Sequence, residues 1–214
     1  MSMSTIVVIG LVLAGYLLGS IPTGYLLALG LKGIDIREYG SGSTGATNVL
    51  RTVGKGSAIA VLVIDMLKGG LAIFLVRFCY GHLNAEFLPT GGMDWLIVTC
   101  ALLAVLGHSK SVWLGFSGGK SAAISLGILL TINVWLGLST LAIFVSVLGI
   151  SRIVSLSSMS AAIAVNIFMA LLIPSLPYIL FAIVAAVYVI YRHKSNIQRL
   201  IDGTEPRIGE TVST

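Results

Sequence analysis

The chain has 214 residues, 57% of them hydrophobic and only 10% charged, with a mean hydropathy of +1.02. A soluble domain carries about 25% charged residues, so this composition excludes a water-facing globule and makes the bilayer the main solvent. The net charge of +5 would suit nucleic acid, but in so apolar a chain basic residues mark the cytoplasmic ends of spans, and no nucleic-acid partner is expected.

About 20 apolar residues fill the hydrocarbon core, and the chain divides by that ruler into seven runs. The first covers residues 5–31. Its far end opens into a polar loop without a small-residue cleavage pattern, so it is read as a span rather than a leader. Gly10, Gly15, Gly19 and Gly24 recur along it, where small residues let helices approach closely, and Pro22 predicts a kink. The next runs are 57–80, 95–106, 121–132 and 134–150, the fourth being short. The last two, 158–173 and 176–191, are separated by Pro174 and Pro177, which predict a turn. Short spans need a thinned bilayer or burial in the bundle, so five full spans plus two partial ones is the alternative. Cys79 and Cys100 lie in or beside apolar runs and read as small buried hydrophobes. No internal repeat is visible, and a single domain over residues 1–214 is expected.

Charge tests the division. With seven spans and the N-terminus outside, the inner segments are 32–56, 107–120, 151–157 and 192–214, and they hold 11 of the 13 Lys and Arg residues. The outer loop 81–94 carries Glu86 and Asp94 and no Lys or Arg. The asymmetry predicts an outside amino terminus and a cytoplasmic carboxyl terminus. Asp65 and Lys68 fall inside the second run, three residues apart. Charges at that depth are costly unless paired, so they are expected to form an ion pair that holds this helix near the inner face.

Three polar clusters fall on the inner segments. The first runs from Tyr39 to Arg51 and includes Ser41, Ser43, Thr47 and Asn48 among three glycines. Glycines let backbone N–H groups converge on a ligand, hydroxyls and Asn add neutral donors, and Arg offers a fork for phosphate. The second runs from Gly107 and His108 to Gly118, Gly119, Lys120 and Ser121, where a glycine pair and a lysine open an apolar helix. That is a ready anion site. It is not a nucleotide-binding P-loop: GxxxxGK[ST] would need a glycine at Leu114, and no strand precedes it. His108 reads equally as a base or as a structural residue. The third cluster joins Ser155 and Ser158 with His193, Asn196 and Arg199, the last three at i, i+3 and i+6 along one helix face. Asp35, Glu38, Asp202, Glu205 and Glu210 form no obvious pair for magnesium, so the clusters suit phosphate-bearing substrates with no metal and no cofactor.

These blocks, in order along nearly the whole chain, resemble the bacterial membrane acyl-phosphate:glycerol-3-phosphate acyltransferases. The matching residues are Gly19-Ser20-Ile21-Pro22; Ser41 to Asn48 with Arg51; Asp65 to Gly69; Gly107-His108 to Gly118-Gly119-Lys120; Arg152, Ser155 and Ser158; and His193 to Asn196, Arg199-Leu200 and Gly203-Thr204-Glu205. The chain departs from the family pattern at Ser43, commonly Asn; at Lys110-Ser111, commonly a Phe-Pro type pair; and at Ser121, commonly Gly.

The resemblance implies an all-α polytopic bundle of about seven helices in the bacterial cytoplasmic membrane, acting as a monomer with its site facing the cytoplasm. It implies transfer of a fatty acyl group from acyl phosphate to the 1-hydroxyl of glycerol 3-phosphate, the first step of phospholipid synthesis. Ser41 and the Gly118-Gly119 backbone would hold the acyl phosphate. Thr47, Arg51, Lys120, Ser158, His193 and Asn196 would hold glycerol 3-phosphate. Ser41, Arg51, Lys120, His193 and Asn196 are the expected catalytic set, with Ser43, Thr47, Asn48, His108, Gly118, Gly119, Ser155, Ser158 and Arg199 as substrate contacts. The His-x4-Asp motif of another acyltransferase class is absent, since Trp113 stands where its Asp would be. A substrate phosphate oxygen is therefore expected to take the hydroxyl proton. A transporter is the rival reading, but it would place its site at mid-membrane, often between inverted repeats.

Overall fold

The structure is a computed structural model and describes residues 2–83 and 92–209. Glu86, in the expected outer loop, and Glu210 lie outside the described residues. Ten α-helices and no strand occur among the described residues, and the chain divides into two compact units, Met1–Asn133 and Val134–Thr214.

The first unit holds α1 (Met3–Ser20), α2 (Thr23–Lys32), α3 (Ala46–Thr52), α4 (Lys55–His82), α5 (Met93–Ser109) and α6 (Ala122–Ile132). The first apolar run is thus two helices. Pro22 lacks an N–H, so the ladder stops at Ile21 and restarts at Thr23. α1 packs along α5, and α4 along α6. Both seams close through glycine. A Cβ on Gly19 would strike the Ala104 carbonyl, one on Gly107 the Tyr16 carbonyl, and one on Gly127 the Met66 carbonyl. Gly24 makes a similarly close approach, to the Thr44 carbonyl, and Gly15 a looser one to Cys100, whereas a Cβ on Gly10 would meet nothing within 4 Å. Ala28, Ile36, Val49, Ala58 and Val61 form a buried knot where α2, α3 and α4 meet.

The second unit holds α7 (Val134–Ser151), α8 (Val154–Leu172), α9 (Leu176–Arg192) and α10 (Lys194–Ile201). α8 packs on both α7 and α9. Pro174 sits in the α8–α9 turn, and Pro177 is accommodated in the first turn of α9, where its missing N–H costs nothing. α10 leaves α9 at 59°. The tail then folds back, and the Ile208 N–H donates to the Arg152 carbonyl at 2.8 Å.

Among the described residues four helical segments are long and apolar enough to cross a membrane, α1 with α2, α4, α7 and α8, and α9 taken with α10 across their bend makes a fifth. The third and fourth expected runs are helical but short, with 17 residues in α5 and 11 in α6. At 1.5 Å per residue α6 is about 16 Å long, roughly half the hydrocarbon core.

Candidate active site

The first loop of the first unit is built around Asn48, which is 1% exposed. Its Oδ1 accepts the Ser41 N–H at 3.0 Å, and its Nδ2 donates to the carbonyls of Ile36, Tyr39 and Ser43 at 3.1, 2.9 and 2.9 Å. Gly40 and Gly42 have φ of +58° and +66°, a region open to glycine. A Cβ on Gly40 would strike Asn48 Oδ1. The backbone therefore wraps the amide and leaves Ser41 exposed at the tip. Asn48 is expected among the substrate contacts; with both ends of its amide committed to the loop, its role is to shape that loop. Ser43 is likewise buried, its Oγ accepting the Gly45 N–H at 3.3 Å. Thr47 and Arg51 lie one turn apart on α3, Thr47 half-buried and Arg51 exposed.

The second loop is tied down at both ends. Tyr16 donates to the Lys110 carbonyl at 2.8 Å, and Ser111 to the Ser20 carbonyl at 2.6 Å. The Gly119 N–H donates to the His108 carbonyl at 3.1 Å. Side chains on Gly118 and Gly119 are excluded: a Cβ would meet the His108 carbonyl in one case and the His108 ring in the other. Half-buried Lys120 follows. Ser121 caps α6 at φ +66°, which is strained for a side chain, and its Oγ offsets the strain by donating to the Val105 carbonyl at 2.8 Å. With the Gly119 N–H held by the His108 carbonyl, the loop offers a lysine just ahead of a helix start, which suits an anion.

Arg37 links the two loops. Its Nη1 lies 3.3 Å from the Leu114 carbonyl and from Ser117 Oγ, its Nη2 2.5 Å from Asp35, and its guanidinium 5.3 Å from the centre of the Tyr25 ring. The Arg37 hydrogen bonds hold the Asp35 carboxyl below its ordinary range, and Asp35 in turn raises Arg37. The expected Asp65–Lys68 pair forms at 2.7 Å and is almost fully buried.

In the second unit the polar residues converge on Glu205. Ser155 Oγ and Asn196 Nδ2 donate to its Oε1 at 2.7 and 2.6 Å, and Arg199 Nε to its Oε2 at 2.7 Å. Burial pushes the Glu205 carboxyl up, but the bonds from Ser155, Asn196 and Arg199, with the Arg199 charge, outweigh it and leave the carboxyl below its ordinary range. His193 caps the α9–α10 bend; its Nδ1 lies 2.7 Å from the Val189 carbonyl. A carbonyl only accepts, so Nδ1 carries a proton, and in the neutral ring Nε2 is the basic nitrogen. Ser158 donates to the Val154 carbonyl at 2.9 Å. Of the three residues expected on one face, Asn196 and Arg199 meet at Glu205, while His193 turns back to α9.

The family model described as "Glycerol-3-phosphate acyltransferase" matches residues 9–203 and so runs through both units. The chain belongs to the glycerol-3-phosphate acyltransferase family. Relatives of that name from Rippkaea orientalis and Synechocystis sp. are 60% and 57% identical, each match covering 95% of this chain and 94% and 92% of the relative. The glycerol 3-phosphate form of PlsY, an integral membrane glycerol 3-phosphate acyltransferase, superposes with a TM-score of 0.84 at 35% identity, covering 94% of this chain and 96% of that one. The lysophosphatidic acid form gives 0.82. This chain is accordingly an integral membrane acyltransferase of phospholipid synthesis.

Sequence reasoning missed two organising residues of the site. Glu205 figures in the sequence among the scattered acids and in the matched Gly203-Thr204-Glu205 block, but not as the hub of the third cluster, and Arg37 only as one more inner-face cation. The signal for Glu205 was its place just beyond a basic helix, close in sequence to Asn196 and Arg199, though Asp202 shares that signal.

Proposed function

We propose that the chain moves a fatty acyl group from an acyl phosphate to the 1-hydroxyl of glycerol 3-phosphate. The hydroxyl oxygen bonds to the acyl carbon, the acyl–phosphate C–O bond breaks, and the hydroxyl proton leaves on the departing inorganic phosphate. The other product is 1-acylglycerol 3-phosphate. The observation that carries the reading is the second loop, where Gly118 and Gly119 admit no side chain and Lys120 follows two residues before α6.

Close packing of the glycine pair on His108 fixes the backbone that carries Lys120, and the lysine supplies charge for a phosphate. Ser41 and this glycine pair are assigned to the acyl phosphate. Thr47, Arg51 and Lys120 in the first unit, and Ser158, His193 and Asn196 in the second, are assigned to glycerol 3-phosphate. The proposal uses no metal. The clusters offer N–H, hydroxyl and cationic donors suited to anions, and both oxygens of Glu205 are already held by protein donors. The 11 of 13 basic residues on the expected inner segments support seven crossings, with the amino terminus outside and the site at the cytoplasmic face of a bacterial inner membrane. The enzyme acts as a monomer.

The test is purified protein offered acyl phosphate, acyl-CoA and acyl carrier protein as competing donors, with acylated product and released phosphate both measured. Acyl phosphate alone should be used. Lys120→Ala and Arg51→Ala should each lower kcat/KM by about 10²-fold or more while the protein still inserts. Full activity in both variants, or preference for a thioester donor, overturns the reading.

A further inference from the structure

His108 stands behind the glycine loop. It is the penultimate residue of α5 and is 7% exposed. Two features bind it to the loop: its carbonyl accepts the Gly119 N–H at 3.1 Å, and its imidazole fills the space where a Gly119 side chain would stand. On its far side, Nδ1 lies 3.7 Å from Asp65 Oδ1. Asp65 is paired with Lys68 at 2.7 Å, and the Lys68 ammonium also donates to the Ile21 carbonyl at 2.7 Å, at the break between α1 and α2. A buried pair of this kind is expensive unless its remaining polar capacity is met. Here the Ile21 carbonyl at the interrupted helix meets part of it, while the His108 ring packs near Asp65 at a distance too long for a hydrogen bond.

We propose that His108 is a positioning residue, the platform on which Gly119 and its loop rest, with its ring braced from behind by the Asp65–Lys68 pair. The ring does not touch substrate. It sets the height of the Gly118-Gly119-Lys120 backbone and thereby the reach of Lys120. This assigns a purpose to the buried charges of α4: they hold the broken α1–α2 corner and the underside of the phosphate loop to one helix. The inference rests on the loop's assignment as a phosphate cradle.

The test uses the full chain in nanodiscs, with steady-state kinetics in both substrates and amide hydrogen exchange across residues 115–121. His108→Ala should raise KM for a phosphorylated substrate by about tenfold with kcat changed by less than about threefold, and should speed exchange in the loop. His108→Phe keeps a flat ring and should recover most of the KM. The decisive arm is a double variant. Gly119→Ala should be disabling because its new methyl meets the ring, and adding His108→Ala should restore kcat/KM by about tenfold or more. Additive losses in the double variant, or unchanged loop exchange in His108→Ala, overturn the proposal. So does a loss confined to kcat, which would make His108 a catalytic residue. Lys120→Ala separates the two readings. If it leaves kcat/KM unchanged, the phosphate-loop assignment fails; if it lowers kcat/KM while the His108 arms fail, only the platform fails.

Discussion

The two units organise their polar residues by opposite means. In the first, a neutral amide, Asn48, gathers four backbone groups. In the second, a buried carboxylate, Glu205, gathers two neutral donors and a guanidinium. A neutral organiser neutralises no cation of its own loop. A charged organiser offsets the cation it holds, so Arg199 has less to offer a phosphate. Anion affinity should therefore concentrate in the first unit, and sensitivity to acid in the second.

The largest effect should follow loss of the charged organiser. Glu205→Ala leaves Ser155, Asn196 and Arg199 without their acceptor. Removing one partner from such a buried cluster costs roughly 3 kcal/mol, which should appear as a fall in thermal midpoint in detergent and in folded yield. A change below about 1 kcal/mol would show that the cluster organises nothing. Acid should act on the same residue. The folded Glu205 pKa is depressed, so its stabilisation is complete above the ordinary glutamate range. It falls away as pH drops through that range and is gone below the folded value. Melting measured from neutral to acidic pH should show this loss in wild type, and Glu205→Gln should flatten it.

The reach of sequence reasoning follows the same division. Apolar length and Pro22 located the helices because both act locally: the break falls at Ile21 and Pro22, and six further runs are helices within a few residues of expectation. α8 starts four residues earlier than the expected 158, since Ser155, Ser157 and Ser158 can close their hydroxyls on backbone carbonyls or on Glu205 and so tolerate a helix. Glycine spacing predicted Gly15, Gly19 and Gly24 as contacts but could not exclude Gly10, because spacing does not reveal whether a neighbour is present. The polar clusters were legible as donor-rich loops. Which donors face a ligand and which face the protein was not, because that depends on pairings such as Ser155 with Glu205, 50 residues apart.

Loss of the neutral organiser should have a smaller and more local effect. Asn48→Ala removes the acceptor for the Ser41 N–H and the donor for three carbonyls. The expected cost is about 2 kcal/mol, felt as local opening of the loop rather than global unfolding. KM for a phosphorylated substrate should rise while the thermal midpoint moves little. Asn48→Asp keeps the Ser41 acceptor but cannot donate, so it should resemble Asn48→Ala. A global collapse in either variant would put both organisers in one class and end the comparison.

The smallest effect should come from Arg37, where the same reasoning is tested at the surface. Arg37 is a charged residue bridging the neutral-organised loops, but its side chain is 35% exposed and that of its partner Asp35 is 24% exposed. Water screens such a pair, and the ion pair itself should be worth only about 0.5 kcal/mol. What Arg37 adds is geometry, since one guanidinium reaches Asp35, the Leu114 carbonyl and Ser117 at once. Arg37→Lys preserves the charge but cannot make all three contacts. If Arg37 works as a spacer between the loops, Arg37→Lys and Arg37→Ala should raise KM by a similar factor of about two to three, with no shift in thermal midpoint. If it works by attracting the anionic substrate, the lysine variant should keep wild-type KM and the alanine variant should lose its dependence on ionic strength. The first outcome extends the contrast between the units, because a cation that bridges the first-unit loops would be acting on shape, leaving phosphate capture to Arg51 and Lys120.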